Sequence, residues 1–552
     1  NVEGQSKGVP LRDRLRAFLT LASDIPVPPM PGRATISLPA LLAEDTVIHD
    51  IKLDVQPAGD GWQIDRAEAQ LPGRTTLSAK GKLTLAGDQS FAGDLLLASN
   101  QPSGFAEWVT GKVPDSVRKL KTAGFSATVS ITPDLQRFEN LEIAFGPAVL
   151  KGRLEHAVKD GETPTLSTEL AGNQFDLDTV MALGGLLTGE ASIRSVFDHT
   201  LSARLRFDSF SAFGLKASDL DTSFALANGG IDALRVSIGD FYGSAVSAEG
   251  RFAALSERAR GQAKITVKSA DPTALFALAA ERLPSHPLLA RLAGSARYYA
   301  DTDVALALKL GDGDWPIEAE LTGTSNGSQL SAKLAAQTLD LVDSGGLTFD
   351  AGLANPAAWV LLGQAGLPTI PIDADDDAGL TLHVEQPSGG DPQVNVSFTS
   401  QTTEVTLTGQ TALDSGHFLN GSYAFKVDSG DLGPYLMMNG ITLPRLADQG
   451  LPFVMSASVY TTPEAIALES ITGNSDDNGF SGTLSIDRKQ AVPMFAGEVK
   501  MNSADLMWLA EAVYGQVTDP VSAGLSRQPI PKLTGLPAAA DVSLEIDRFR
   551  LG

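Results

Sequence analysis

Cysteine is absent from this chain of 552 residues, which excludes disulfide bonds and thiolate chemistry. Positive charge is scarce, because 42 Lys and Arg stand against 66 Asp and Glu and leave a net charge of −24. No basic cluster offsets this balance locally, so nucleic acid and anionic membrane surfaces are poor electrostatic partners. No apolar run approaches the ~20 residues of a membrane-spanning helix.

The patterns that resemble catalytic or metal sites each lack a required part. Gly323 to Gly327 matches a nucleophile elbow, but the alternating sequence after it predicts a strand where that motif needs a helix. A calcium-binding loop needs a bidentate Glu at its twelfth position. The loop that would start at Asn474 has Ser485 at that position, and the acidic run Asp373 to Asp377 has Val384. We expect solvated loops, with weak calcium binding as the alternative. The histidines have no metal-ligand spacing. We therefore expect no enzyme activity, no metal and no cofactor.

The sequence does contain long stretches in which apolar and polar residues alternate in steps of two. Between Leu201 and Phe252 the alternation runs through four segments, and turn residues such as Asn228-Gly229-Gly230 separate them. Ala263 to Val267 forms a fifth. The period then changes at Asp271-Pro272, which starts a short apolar helix from Thr273 to Ala280. The predicted unit is a meander of antiparallel strands followed by one short helix.

The strand-then-helix ending recurs along the chain. The predicted helices begin near residues 104, 175, 272, 356, 431 and 504, at a mean interval of roughly 80 residues. Repeats of this length indicate a quasi-linear array rather than one closed core. The expected content is roughly 45–55% strand and less than about 20% helix, in roughly 25–30 strands. A further amphipathic helix is predicted over Pro10 to Ser23.

The predicted fold class is mainly β, an elongated and curved antiparallel sheet that forms a repeating β-groove with short helices between repeats. The last residues, Asp541 to Gly552, restart the strand at Leu201 to Gly214, so we expect a fragment that stops within a repeat. The predicted repeats are 1–115 with a leading helix, 116–200, 201–290, 291–370, 371–445, 446–535 and the truncated 536–552.

A long antiparallel sheet with one continuous apolar face must cover that face. It can close on itself, pack against a second sheet, or curl into a groove that holds a lipid. The short helices are too small to cover five strands each, so we predict a groove wide enough for acyl chains. Its predicted lining alternates with polar residues and comprises Leu83, Leu85, Leu95, Leu97, Leu205, Phe207, Ile265, Val267, Val405, Leu407, Val499, Val542, Leu544 and Ile546. A face buried against protein is the alternative explanation of the same alternation.

The apolar residues of the predicted helices should pack against the sheet or over the edge of the groove. Ordinary core packing is the alternative for them. These residues are Phe105, Trp108, Leu275, Phe276, Trp359, Leu436, Leu506 and Trp508.

The run from Leu201 to Phe252 resembles the AsmA family, particularly its C-terminal repeat. The resemblance is carried by LRFDSFSAFG, by DLDTSFALANGGI and by LRVSIGDFYGSAVSAEGRF, in which Tyr242-Gly243 and Gly250 match small-residue turns of the family. The later LPAAADVSLEIDRFRLG looks like the same opening strand. Elsewhere the resemblance is one of repeat style.

The resemblance implies a periplasmic protein of the Gram-negative envelope that is anchored in the inner membrane through a helix missing from this chain. It implies a bridge-like lipid carrier that supports phospholipid transport between the inner and outer membranes and outer-membrane biogenesis. The implied partners are a phospholipid or other acyl lipid, the inner membrane and an outer-membrane partner. The alternative is a structural or scaffolding envelope protein whose repeats close into dry β-sandwiches without a ligand.

Overall fold

A computed structural model describes residues 27–28, 30–43, 46–85, 87–111, 113–159, 161–188, 200–253, 259–338, 346–367, 369–372, 377–439, 450–476, 478–489, 492–506 and 539–550. The chain is 63% strand and 13% helix, which confirms the mainly β prediction. The strand content exceeds the expected range because the strands are long. Strand β2, for example, has 13 residues, against a usual mean of about 5–6.

The chain forms two compact units, Asn1–Ala263 and Lys264–Gly552. The strands of unit 1 are β1 (Ala34–Ala43), β2 (Thr46–Ala58), β3 (Gly61–Leu71), β4 (Thr75–Thr84), β5 (Ser90–Ser99), β6 (Ala123–Ile131), β7 (Leu135–Phe145), β8 (Ala148–Ala157), β9 (Thr165–Asp176), β10 (Thr200–Ala212), β11 (Leu215–Ala227), β12 (Gly230–Phe241) and β13 (Ser244–Ala253). Its described helices are α1 (Pro102–Thr110), α2 (Asp115–Arg118) and α3 (Leu177–Thr188). Strand β14 (Arg260–Ser269) contains the sequence boundary between the units.

The strands of unit 2 are β15 (Thr302–Leu310), β16 (Ile317–Ser325), β17 (Ser328–Ala336), β18 (Leu347–Asn355), β19 (Ala378–Gln386), β20 (Gln393–Thr399), β21 (Thr403–Thr411), β22 (Gly421–Ser429), β23 (Phe453–Thr461), β24 (Ala465–Ser475), β25 (Asn478–Asp487), β26 (Met494–Asp505) and β27 (Ala539–Arg550). Its described helices are α4 (Thr273–Arg282), α5 (Pro287–Gly294), a 3₁₀ helix (Ala296–Tyr299), α6 (Ala358–Gln364) and α7 (Gly433–Met438).

Within each unit, consecutive strands pair with one another. The pairs from β1 to β9 and from β10 to β13 are antiparallel, as are those from β15 to β26. Among the pairs whose register is described, β9 with β10 and β26 with β27 are parallel. A parallel pair needs a long crossover connection, and the predicted meander did not include one. The sequence predicted that β10 and β27 are equivalent first strands of a repeat. Each of these strands is the second member of a parallel pair and so follows a crossover connection.

Short helices follow the strands where the sequence predicts them. Helices α1, α3, α4, α6 and α7 begin at residues 102, 177, 273, 358 and 433, each within about two residues of its expected start. Strand β26 extends to Asp505, past the sixth predicted helix start near residue 504, and Leu506 is helical. The rest of that predicted helix and the leading helix over Pro10 to Ser23 lie outside the described residues. The suspected nucleophile elbow is a plain hairpin between β16 and β17, as predicted.

The best-packed core of unit 1 lies where α3 meets the ends of the strands. Phe145, Leu150 and Phe207 are buried there, and Leu177 and Leu183 pack against the cluster. In unit 2, helices α6 and α7 contribute the corresponding core residues over β19 and β20. This cluster comprises Ala358, Leu361, Ala378, Phe398, Tyr435 and Met438. In both units, therefore, helices stabilise one end of the strands.

Local irregularities bend each sheet. In unit 1 the register shifts in the β6–β7 and β7–β8 pairs, and such bulges increase twist and bend the strand. In unit 2 a glycine permits a close approach of β21 to β22. A Cβ atom at Gly409 would collide with the carbonyl oxygen of Ser422 and lie 2.7 Å from the Cα of Tyr423. Glycine is used in strands where two backbones approach in this way and at points of curvature.

We expect Gly409→Ala to lower the free energy of unfolding of unit 2 by about 1–3 kcal/mol, because the methyl group must push β22 away. The matched control is Gly311→Ala, where a Cβ atom would meet nothing within 4 Å, and the change should stay within about 0.5 kcal/mol. Urea denaturation followed by circular dichroism measures both. Equal losses for the two variants would contradict the role of close approach.

Candidate functional site

Register places apolar side chains opposite one another across neighbouring strands. On β5, Leu97 lies between Leu77 of β4 and Phe125 of β6, and Leu95 lies between Ala79 and Ala127 in the same way. Side chains in register on one face of a sheet are neighbours. The apolar positions of successive strands therefore join into one surface, which we call the apolar face.

The same arrangement continues at β10, although β10 is parallel to β9. Leu205 lies between Leu170 of β9 and Thr222 of β11. Phe207 lies between Gly172 and Leu220. The parallel pair therefore keeps the apolar face continuous, because its register still brings apolar positions of the two strands to the same side.

The opposite face of each sheet is charged and wet. Arg137 lies 2.8 Å from Glu155, and Arg206 lies 2.8 Å from Asp221, each pair joining neighbouring strands. In unit 2 the carboxylate of Glu545 accepts a hydrogen bond from Lys500 and thereby raises the pKa of that lysine. Exposed pairs of this kind contribute little to stability, because water and salt screen them. Their main consequence is to fix which face is polar.

The predicted lining residues lie on the apolar face, and most of them are half-buried. The two buried members are Phe207, which is 1% exposed, and Leu85, which is 9% exposed. Leu544 is 49% exposed. The half-buried members are Leu83, Leu95, Leu97, Leu205, Ile265, Val267, Val405, Leu407, Val499, Val542 and Ile546. A face covered by a second layer would bury most of these side chains.

Burial is incomplete because the covering layer is partial. Among the described elements, each strand makes its main contacts with its sheet neighbours, and helices contact the strands next to them. Helices α1, α2 and α3 pack on one another through Ala106, Val117 and Ala182. Buried small polar side chains, such as Thr75 and Ser99, mark the strand ends beside α1. The helices thus cover one end of the apolar face. Elsewhere the face is covered only where its own side chains pack together, as Val129 and Leu141 do.

The structure brings several of the predicted residues together. Leu83 lies opposite Phe91 on the same pair of strands that carries Leu95 and Leu97. In unit 2, Val499 of β26 lies beside Leu544 of β27. Residues 265 and 267 lie together on β14. The prediction left out equally placed residues of β6, such as Phe125, although their alternation was visible in the sequence.

The residues predicted on the helices have different surroundings. Phe105 is buried, and its ring lies 5.9 Å from that of Trp108. Trp359 makes an edge contact with Tyr298 at 6.3 Å. Leu275, Phe276 and Leu436 are half-buried and Leu506 is 45% exposed, while Trp508 lies outside the described residues. Sequence reasoning missed the central core residues Tyr435 and Met438.

No described set of three or more His, Cys, Asp and Glu side chains is placed to hold a metal ion. No helix within the described ranges is both long enough and apolar enough to cross a membrane. Comparisons with protein-family models, with curated proteins and with solved structures found no match to this chain.

Substitution by alanine should cost more stability at the covered end of the apolar face than in its open part. We expect Phe207→Ala to cost about 3–5 kcal/mol, because Phe207 is fully buried and stacks on Phe175 at 4.5 Å. Leu97→Ala should cost about 1 kcal/mol, because a half-buried leucine already contacts water. Hydrogen exchange and urea denaturation measure both losses. A loss at Leu97 as large as that at Phe207 would mean that a further layer covers the open part.

Proposed function

We propose that the apolar faces hold the acyl chains of a lipid. The observation that carries this proposal is the half-buried apolar face, which register makes continuous across the strands of a unit and which helices cover only at one end. Large exposed apolar surfaces on proteins usually mark a binding site. Leucine, valine and phenylalanine side chains offer no hydrogen bonds, so their natural ligand is an aliphatic chain.

The energetics favour such a ligand. Moving a methylene group from water onto an apolar surface is favourable by about 0.8 kcal/mol. A chain of many methylenes therefore binds without any specific polar contact. Because the face has the same chemistry from strand to strand, neighbouring positions are nearly equivalent for an acyl chain. Such a surface suits movement of a lipid along the sheet as well as storage.

The proposed setting is the periplasm of a Gram-negative envelope. Here the chain would act as an AsmA-like carrier anchored in the inner membrane and would support phospholipid transport to the outer membrane and outer-membrane biogenesis. The support for this setting is the resemblance of Leu201 to Phe252 to the AsmA family. The acidic composition, with a net charge of −24, suits a protein whose ligand lies on an uncharged face. The role proposed is binding and transfer, without a chemical reaction.

A single charge on the open part of the apolar face should separate lipid binding from folding. We expect Leu97→Asp to reduce the lipid that co-purifies with the protein, because a carboxylate repels acyl chains. The free energy of unfolding should fall by no more than about 1–2 kcal/mol, because the carboxylate can stay hydrated. Lipid extraction and native mass spectrometry measure occupancy, and thermal unfolding measures stability.

The adjacent Ala98 provides the matched control. Ala98 is exposed on the polar face of the same strand, so Ala98→Asp should leave both lipid occupancy and stability unchanged. If the wild-type protein carries no lipid and Leu97→Asp costs the several kcal/mol of a buried unpaired charge, the face is dry and the scaffold alternative is correct.

A further inference from the structure

A cleft of about 830 Å³ lies at the helix-covered rim of unit 1. Its walls come from β2, from the turn between β3 and β4, and from α1. The volume is in the range of sites for small polar ligands and cofactors, about 300–1,000 Å³. Unlike the apolar face, the cleft carries charge, since His49, Asp50, Arg74 and Glu107 line it together with Trp108.

The cleft adjoins the apolar face. Leu71 belongs to the lining of the cleft. It pairs with Thr75 of β4, and two residues earlier on β3 Ala69 pairs with Leu77 of β4. Because alternate residues of a strand share a face, Leu71 lies on the same side of the sheet as Leu77 and its neighbour Leu97. Gln70 and its strand partner His49 also line the cleft and lie on the opposite side of the sheet, so the cleft sits at the edge between the two faces. A molecule with an apolar tail on the apolar face therefore has a charged cleft at that edge.

The turn that carries Arg74 is fixed to the start of α1. The amide of Gln101 donates to the carbonyl of Gly73 at 3.0 Å, and the amide of Asn100 donates to that of Arg74 at 3.3 Å. A side chain at Gly73 would collide with the amide of Phe105. Arg74 itself has a φ of 51°, a left-handed conformation that is unfavourable for a non-glycine residue. A strained conformation held by its surroundings often belongs to a ligand site.

The charged groups of the cleft have no partners within the described part of the chain. No ion pair or side-chain hydrogen bond of Arg74, Asp50 or Glu107 occurs there, whereas many arginines of the polar face are paired, as Arg153 is with Glu169 at 2.9 Å. An unpaired guanidinium is well suited to a phosphate group. Unpaired carboxylates are suited to an ammonium group.

Trp108 adds two features. Its indole N–H is buried and has no acceptor among the described atoms, and a buried unsatisfied donor calls for an explanation. A phosphate oxygen in the cleft is an acceptor that this donor could use. The face of an indole is also the best aromatic partner for an ammonium group.

We propose that this cleft binds the zwitterionic headgroup, phosphate plus ammonium, of a phospholipid whose acyl chains lie on the apolar face. The inference rests on the proposed function and names its lipid class. Arg74 and His49 bind the phosphate, and Asp50, Glu107 and the ring of Trp108 bind the ammonium. An anionic headgroup without an ammonium is disfavoured, because two carboxylates then face it against one guanidinium.

The test is a competition between two lipids with the same acyl chains. The protein is incubated with vesicles of equimolar dioleoyl phosphatidylethanolamine and dioleoyl phosphatidylglycerol and recovered, and its bound lipids are quantified by mass spectrometry. We expect the ethanolamine lipid to be enriched roughly tenfold, which corresponds to about 1.4 kcal/mol. The combined Asp50→Asn and Glu107→Gln substitutions should bring the ratio near one without reducing total bound lipid. Both side chains are exposed and both replacements are isosteric, so folding should be preserved.

Further variants complete the design. Arg74→Gln should reduce the phospholipid bound relative to dioleoylglycerol, and Trp108→Phe, which keeps the aromatic ring and removes the N–H, should do so more weakly. Arg153→Gln on the polar face is the control and should leave every ratio unchanged. Equal uptake of the two phospholipids by the wild type, or a preference that survives the double substitution, would overturn the headgroup site while leaving the apolar face as a lipid carrier.

Two other outcomes also count against the inference. Calorimetric binding of soluble phosphoethanolamine as tight as that of the lipid would assign the cleft to a free phosphate compound. Absence of any bound lipid, in the wild type and in all variants, would overturn the proposed function together with the headgroup site. Total lipid per protein thus distinguishes failure of the proposed function from failure of this inference.

Discussion

Cross-strand register is the constraint on which the rest of the structure depends. Each strand alternates apolar and polar residues, and a shift of one residue in any pair would move a whole row of side chains to the other face. Short turns hold the register, for example the three residues between Leu71 and Thr75. Ion pairs on the polar face, such as Arg206 with Asp221, join residues that this register places opposite one another. Between the register shifts at the bulges, the strand pairs follow the same alternation. The units therefore have one solvated and one apolar face without a second sheet.

Such a sheet is stable only if its apolar side chains find partial cover. The core clusters show how this happens, because the largest buried residues of unit 1, Phe207 and Leu150, lie where α3 packs over the strand ends. Farther along the strands, curvature brings side chains of the same face together, as with Val129 and Leu141, which pack with Phe91 and Leu154. Bulges and glycines therefore affect burial as well as shape. The apolar face is left half-covered.

Strands and helix starts were predictable from the sequence because both have local signals. Alternation, Asn-Gly turns and the Asp-Pro start at residue 271 each act over a few residues. The parallel pairs were not predictable in this way, because they depend on crossovers between distant residues, such as the one that brings Thr200 beside Thr165. Tyr435 and Met438 were missed because both lie on α7, a helix of six residues, which is too short for a clear periodicity.

The charged rim cleft was likewise invisible in the sequence. Its charged residues, His49, Asp50, Arg74 and Glu107, come from one strand, a turn and a helix and share no motif. Individually each is an ordinary surface residue. Only the docking of the Gly73 turn on the start of α1 brings them together, and that docking depends on hydrogen bonds between backbone groups far apart in sequence.

The parallel pairs also determine how such a sheet can be lengthened. An antiparallel step reverses strand direction, so β5 and β9, four steps apart, point the same way and deliver their helices to the same margin of unit 1. In unit 2, β18 and β22 do the same. A block with an odd number of strands would invert this order unless one of its steps were parallel. Duplication can therefore add a block of four strands without a crossover, or a block of five strands with one. In either case the helices stay on the same margin of the sheet, and the two margins keep different side chains as the chain grows.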